Sequence, residues 1–112
     1  MKSILLALTF SITCILTAQD GPEKETSFKV FGNCSSCKNR IENVLKIKEV
    51  KSARWNKQSK ILYVSYLSSG ITLDSLQERV AAVGHDTEKF KAADSVYSHL
   101  PACCLYRSGK QD

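Results

Sequence analysis

The 112-residue sequence predicts an α+β domain of the ferredoxin-like βαββαβ type, with a four-stranded antiparallel sheet and two helices on one face. Three observations predict this fold. Two segments carry apolar residues at spacings of three and four, as amphipathic helices do. Short alternating or β-branched segments lie before, between and after them, as strands do. Turn-forming residues separate the segments, so the order is strand, helix, strand, strand, helix, strand.

A pair of cysteines lies where the first predicted strand meets the first predicted helix. Phe28 and Val30 share one face of a strand over residues 27–31. Cys34 then falls in the turn and Cys37 in the first helical turn, in a C-x-x-C spacing. The helix is predicted to end near residues 47–49, and its apolar side comprises Ile41, Val44 and Leu45.

Two strands joined by a hairpin turn are predicted next. Residues 50–55 alternate imperfectly, and the Asn-Lys-Gln-Ser sequence of residues 56–59 is typical of a turn. Residues 61–66 are dense in β-branched and aromatic side chains, which favour strands. The residues expected on one face of this strand are Leu62, Val64 and Tyr66.

The second helix has a start signal and a stop signal. Thr72 offers an N-cap, and Gly84 supplies the left-handed conformation that commonly follows a helix. Residues 85–91 alternate weakly and are predicted to form a short fourth strand. The apolar residues of the helix are Leu73, Leu76, Val80 and Val83.

The N-terminal segment has the parts of a secretory signal peptide. Lys2 precedes an apolar run over residues 4–18, and Ala18 is a small residue suited to cleavage. We therefore predict a signal peptide over residues 1–19 and a flexible lead-in over residues 20–26. The protein is expected to be exported, either periplasmic or secreted, with no membrane span once the signal is cleaved.

The C-terminal extension, residues 92–112, is longer than the predicted fold needs. Asp94 is expected to cap a short helical turn that Pro101 interrupts. Two adjacent cysteines, Cys103 and Cys104, follow. The apolar residues of the predicted turn are Val96, Tyr97 and Leu100.

Charge and size limit the possible functions. Sixteen Lys and Arg residues against eleven Asp and Glu give a formal net charge of +5, and the basic residues form no block. Such interspersed lysines are typical of a solvated surface, so no nucleic-acid partner is expected. The length suits one small domain.

The C-x-x-C pair can support three kinds of chemistry. Unpaired N–H groups at a helix start favour a thiolate over a thiol, and nearby Lys38 and Arg40 act in the same direction. Two thiolates on one turn can chelate a soft metal ion, or can be oxidised and reduced as a pair. An even number of cysteines in an exported chain also suits structural disulfides. The alternatives to a metal-binding protein are therefore a thiol-disulfide oxidoreductase and a disulfide-stapled interaction module.

Other catalytic motifs are not evident. The sequence shows no pairing of nucleophile and base, no carboxylate pair and no phosphate-binding loop. Ser35 and Ser36 replace the Gly-Pro found between the thiols of thioredoxin-like proteins. We therefore expect a protein that is not an enzyme.

Taken together, the elements and the C-x-x-C turn resemble the heavy-metal-associated domain family. This family includes copper chaperones, the metal-binding modules of copper-exporting ATPases and the periplasmic mercury-binding protein. The resemblance covers about residues 27–91. The matching residues are Cys34 and Cys37, Ile41-Glu42, Val50, Val64-Ser65-Tyr66 and Val83-Gly84.

The resemblance implies a carrier of a soft metal ion. Cys34 and Cys37 would hold Cu(I), or Hg(II) or Zn(II), and pass it to a metal transporter or acceptor protein by ligand exchange. The chain departs from the family pattern at two positions. Gly32 stands where most members have Met, so the loop is expected either to be more mobile or to be packed by Phe31 instead. His85 stands where members often have Tyr, Phe or Lys.

The vicinal cysteines and the histidines complete the set of candidate residues. Adjacent cysteines seldom bond to each other, because the ring they would close is strained. Cys103 and Cys104 could therefore crosslink to the C-x-x-C pair, add thiolates to a metal cluster, or contact another chain. His85 is expected to be a loop residue that tunes the site, and His99 a residue on a helix surface.

Overall fold

The computed structural model of the chain describes residues 22–108, and the predicted signal peptide lies outside them. No helix in that range is long and apolar enough to cross a membrane. The strands are β1 (Glu23–Lys29), β2 (Val50–Trp55) and β3 (Ile61–Leu67); the helices are α1 (Ser35–Val44), α2 (Leu73–Ala82) and α3 (Asp94–Tyr97), followed by 3₁₀ turns at Ala102–Cys104 and Tyr106–Ser108.

The described strands form one antiparallel sheet in the order β1-β3-β2. The fourth strand predicted over residues 85–91 is wrong, since this segment contributes a single bridge between Val30 and Thr87. The Thr87 N–H donates to the Phe90 carbonyl at 2.7 Å, and the Phe90 N–H donates to the Thr87 hydroxyl at 3.0 Å. These two bonds close a turn that leads the backbone away from the sheet after one pairing.

Several boundaries differ from the predicted ones. Strand β1 begins at Glu23, inside the predicted flexible lead-in, because Glu23 pairs with Leu67 at the far end of β3. Helix α1 ends at Val44 rather than near residues 47–49, because the Leu45 N–H bonds to Glu42 in a tighter turn. The N-cap of α3 is Ala93, and the Asp94 predicted as its cap is the first helical residue.

Helices α1 and α2 and one face of the sheet enclose a single core. The opposite face of the sheet is open at Tyr63, which is 54% exposed. Thr72 accepts a hydrogen bond from the Ser75 N–H at 3.1 Å, so the predicted N-cap of α2 is confirmed. The core residues include Phe28, Val30, Ile41, Leu45, Trp55, Leu62, Val64, Leu76, Val80 and Leu100.

Gly84 allows the C-terminal extension to pack against the end of α2. Its φ of +110° lies in the left-handed region, which side chains disfavour. A Cβ atom at this position would lie 2.8 Å from the Leu100 Cδ2 atom. The absence of a side chain at residue 84 therefore provides both the backbone turn and the space for Leu100.

Candidate metal centre

Four thiols from two distant parts of the chain meet at the start of α1. Cys34 Sγ lies 3.2 Å from Cys37 Sγ and 2.9 Å from the Sγ atoms of both Cys103 and Cys104. The sulfurs of Cys34, Cys37 and Cys104 all lie within 4.8 Å of one another. Each of the four cysteines is a free thiol. The structure thus brings together all four cysteines that the sequence marks as candidates.

Local backbone geometry positions the first pair. Cys34 is the N-cap of α1 with extended dihedral angles (φ −131°, ψ 173°), and its carbonyl accepts from the Lys38 N–H at 3.1 Å. Cys37 is three residues further on, so its sulfur projects from the same side of the first turn. The Asn33 N–H donates to Cys37 Sγ at 3.3 Å. This N–H favours the thiolate form of Cys37, but burial of the side chain outweighs it.

Trp55 supports the cysteine loop from below. A Cβ atom at Gly32 would lie 3.0 Å from the Cys37 Cβ atom and 3.1 Å from the Trp55 ring. The Trp55 ring is buried and donates from Nε1 to the Val30 carbonyl at 2.9 Å. Phe31 is 37% exposed and does not fill this space, so packing of the loop by Phe31, one of the two expectations, is not observed. The indole of β2 takes the space under Gly32.

Anchors in the C-terminal extension hold the second pair. The Tyr106 hydroxyl donates to the Gly84 carbonyl at 2.7 Å and accepts from the Asp86 N–H at 2.8 Å. The Arg107 guanidinium donates to both carboxylate oxygens of Asp86, at 2.7 and 3.0 Å. Although burial opposes ionisation, the bond from Arg107 holds the pKa of Asp86 below its usual range. These contacts fix the segment that carries Cys103 and Cys104.

Arg40 connects the thiols to a buried histidine. Its Nη1 atom lies 3.5 Å from Cys104 Sγ and 3.5 Å from His85 Nε2, and its Nη2 atom lies 3.5 Å from the Ser36 hydroxyl. The His85 Nδ1 atom is 2.8 Å from the Phe31 carbonyl, which fixes the ring as an Nδ1–H donor. Burial lowers the pKa of His85 to about 4, so the ring is neutral and its Nε2 faces the arginine as an acceptor.

Three of the thiols differ in acidity because burial and hydrogen bonding act on them differently. Burial opposes ionisation of Cys34, but hydrogen bonds from Cys103, Cys104 and Cys37 outweigh it and lower the pKa of Cys34 to about 6. Burial raises the pKa of Cys37 to about 12. Hydrogen bonding to Cys34 raises the pKa of Cys103 to about 11. At neutral pH Cys34 is therefore a thiolate, whereas Cys37 and Cys103 keep their protons.

The remaining candidates lie outside the sulfur cluster. His85 is buried and contacts Arg40, and its role in tuning the site stays a prediction. His99 lies on the exposed surface after α3, where its Nδ1 atom contacts the Ser95 carbonyl. Lys38 bonds to Glu42 and to the Trp55 carbonyl, so it braces α1 against β2 instead of facing the sulfurs.

Two residues that the sequence pattern does not mark complete the site. Tyr106 and Arg107 occupy a short stretch without periodicity, and their partners lie about twenty residues away. The only local signal is an aromatic and a basic residue directly after the vicinal cysteines, which is too weak to predict an anchor.

A pocket of about 380 Å³ opens beside the cluster. Cys34 and Cys103 both line it, so a thiol or a metal ion from solution can approach these two residues. Lys57 adds a positive charge at its wall. The lining residues are Asn33, Cys34, Lys57, Ala102, Cys103, Leu105 and Ser108.

Comparison with solved structures finds metal-binding domains with this fold. The N-terminal domain of a potential copper-translocating P-type ATPase from Bacillus subtilis, in the Cu(I)-loaded state, is 28% identical, with a TM-score of 0.57 over 67% of this chain and 96% of its own. The CopZ metallochaperone is 26% identical, with a TM-score of 0.55 over 57% of this chain and 98% of its own.

A zinc protein is also similar. The N-terminal domain of the zinc(II) ATPase ZiaA in its apo form is 29% identical, with a TM-score of 0.51 over 71% of this chain and 77% of its own. A variant of the ZiaA N-terminal domain is 31% identical over 59% of this chain and 96% of its own, with a TM-score of 0.52. No protein-family model and no curated protein sequence matches the chain.

Proposed function

Because this chain belongs to the heavy-metal-associated domain family, we propose that it carries a soft metal ion, with Cu(I) as the first candidate, between Cys34 and Cys37. The observation that supports this most strongly is the meeting of free thiols at the N-terminus of α1. Thiolates select soft ions such as Cu(I), Hg(II) and Zn(II) over hard ones. The protein is a carrier and not an enzyme in this proposal.

The ion enters and leaves by exchange of thiolate ligands. Cys34 is already ionised at neutral pH, because its pKa is about 6, and is the first sulfur to meet an arriving ion. Cys37 then loses its proton to solvent as the second metal–sulfur bond forms. A thiol of an acceptor protein reverses these steps by attacking from the pocket side. We propose a metal transporter or a soluble acceptor as the partner, and export through the signal peptide over residues 1–19.

Competition for Cu(I) tests the proposal. The purified, reduced protein is titrated without oxygen against a chromogenic Cu(I) chelator, and bound copper is counted by native mass spectrometry. We expect one ion per chain, bound more weakly in Cys34→Ser and in Cys37→Ser. Ser35→Ala, in the same turn and exposed, is the matched control and should keep full binding. Undiminished copper binding in both cysteine variants would exclude the C-x-x-C pair as the site.

The low pKa of Cys34 also favours a second candidate function, a thiol-disulfide oxidoreductase. An acidic thiol beside a second thiol is the arrangement that such enzymes use for attack and resolution. Catalysis of insulin reduction by the metal-free protein, abolished in Cys34→Ser, would favour this function. The carrier proposal expects no turnover above the rate of free dithiothreitol.

A further inference from the structure

Cys104 occupies a position that a two-thiolate site does not require. Its side chain is fully buried and its sulfur forms a compact triangle with those of Cys34 and Cys37. Cys103, the next residue, is exposed and faces the pocket. Both sulfurs lie 2.9 Å from Cys34 Sγ, but Cys104 Sγ forms the triangle with the C-x-x-C pair, whereas Cys103 contacts Cys34 from the exposed side.

A positive charge lies beside the added sulfur. Three thiolates around Cu(I) carry a net charge of −2, whereas two thiolates around Cu(I) carry −1. The Arg40 guanidinium contacts Cys104 Sγ from the side of His85, and the buried neutral imidazole limits where the guanidinium can lie. A cation held at short range in a partly buried setting offsets part of the extra charge.

Contacts of the C-terminal extension with the rest of the fold hold Cys104 in position. Leu100 fills the space above Gly84, Tyr106 bonds to the backbone at Gly84 and Asp86, and Arg107 pairs with the Asp86 carboxylate. These contacts join protein groups and do not involve the sulfurs, so a third metal–sulfur bond costs little additional conformational entropy.

We propose that Cys104 is a third thiolate ligand, so that the C-terminal extension closes the site into a trigonal three-sulfur centre. This inference rests on the proposed function. Binding forms a bond from the ion to Cys104 Sγ, the thiol proton leaves to solvent, and no electron is transferred. The centre suits ions that accept three thiolates, Cu(I) and Hg(II) above all. It also holds cargo more firmly, since an acceptor must displace the thiolate of an anchored segment.

X-ray absorption spectroscopy of the Cu(I)-loaded protein tests this directly. We expect three sulfur neighbours per copper in the wild type, two in Cys104→Ala, and three in the matched control Cys103→Ala. Competition with a chelator should show Cys104→Ala binding Cu(I) about tenfold or more weakly. Arg40→Gln leaves every cysteine in place and should also weaken binding, by a smaller factor.

The outcomes separate the two proposals. Two sulfurs per copper in the wild type, with tight binding, would overturn the third ligand and leave the carrier intact. Equal coordination numbers in the wild type and Cys104→Ala would overturn it too. Absence of copper binding in the wild type would overturn both. The wild-type coordination number does not depend on the folding of any variant, and circular dichroism checks the folding of each variant.

Discussion

The two cysteine pairs of this protein reach the same point by different means. The first pair is three residues apart at the start of α1, and the backbone of that turn suffices to place both sulfurs. The second pair is about seventy residues further along the chain and depends on Leu100, Tyr106 and Arg107 to return to the fold. The position of the C-x-x-C pair can therefore be predicted from the spacing of its residues. The position of Cys103 and Cys104 depends on long-range contacts, which sequence spacing does not indicate.

Cys34 and Cys103 are in contact, yet their surroundings give them different acidities. Cys34 is partly buried yet acidic, because neighbouring thiols donate to it. Cys103 is exposed yet weakly acidic, because its proton is used in the bond to Cys34. Exposure and reactivity therefore run in opposite directions in this cluster. Four measurements test these differences between the two cysteine pairs and their surroundings.

Alkylation should select the less exposed thiol. At pH 7 the metal-free protein is expected to react with iodoacetamide at Cys34 on the order of a hundredfold faster than at Cys103, since the thiolate is the nucleophile. The rate at Cys34 should rise as pH increases through about 6 and then level off, because its pKa is lowered to that value. Peptide mass spectrometry of briefly labelled samples measures both sites. Faster labelling at Cys103 would contradict the assignment of the lower pKa to Cys34.

Gly84→Ala should release the extension. The new Cβ would meet Leu100 at 2.8 Å on a backbone with φ of +110°, so we expect the free energy of unfolding to fall by about 2 to 3 kcal/mol. Gly70→Ala is the matched control, because the one close neighbour of its Cβ would be the movable side chain of Glu49, with the Leu67 carbonyl at an ordinary 3.7 Å. Urea unfolding measures both variants. Equal stability of the two would show that the extension does not depend on the turn at residue 84.

Acid should lower the free energy of unfolding through the buried side chain of His85. Burial lowers the pKa of His85 to about 4, so between pH 6.5 and pH 4 the unfolded chain binds a proton that the folded chain does not. Stability should therefore fall as pH falls through this window, by about 2 kcal/mol between pH 7 and pH 5. Urea unfolding across this range tests it. The slope should diminish in His85→Gln and persist in His99→Gln, at the exposed histidine.

Arg107→Met should show how much the ion pair between Arg107 and Asp86 contributes to stability. The Asp86 carboxylate would lose its partner in a site where its side chain is 15% exposed, and we expect a loss of about 1 kcal/mol. The control is Lys89→Met, which breaks a pair with Asp74 whose side chains are 59% and 51% exposed, and should cost less than about 0.5 kcal/mol. Thermal unfolding compares the two variants. Equal losses would mean that burial does not strengthen the Arg107 pair.

The sequence predicts the parts of the fold that depend on local pattern. The apolar stripes of α1 and α2, the dense β3 strand, the Thr72 cap and the Gly84 turn are present, and the C-x-x-C pair lies at a helix start. Each follows from periodicity or from a single residue whose conformational preference is strong.

Long-range contacts account for what the sequence does not predict. The fourth strand shrinks to one bridge because Thr87 and Phe90 bond to each other. Strand β1 begins early because a partner strand extends alongside it. The space beneath Gly32 is filled by Trp55 from β2, and nothing near Gly32 in the chain signals this. Such outcomes depend on which distant groups meet, and one sequence contains no direct record of that.

Trp55 gives the protein a built-in optical reporter. It is the single tryptophan of the chain, and its ring lies against the loop that joins β1 to α1, next to Cys37. Indole emission responds to the polarity of its surroundings and to quenching by nearby heavy atoms. Loading and unloading of the thiols can therefore be followed in real time from the intrinsic fluorescence of an unlabelled sample.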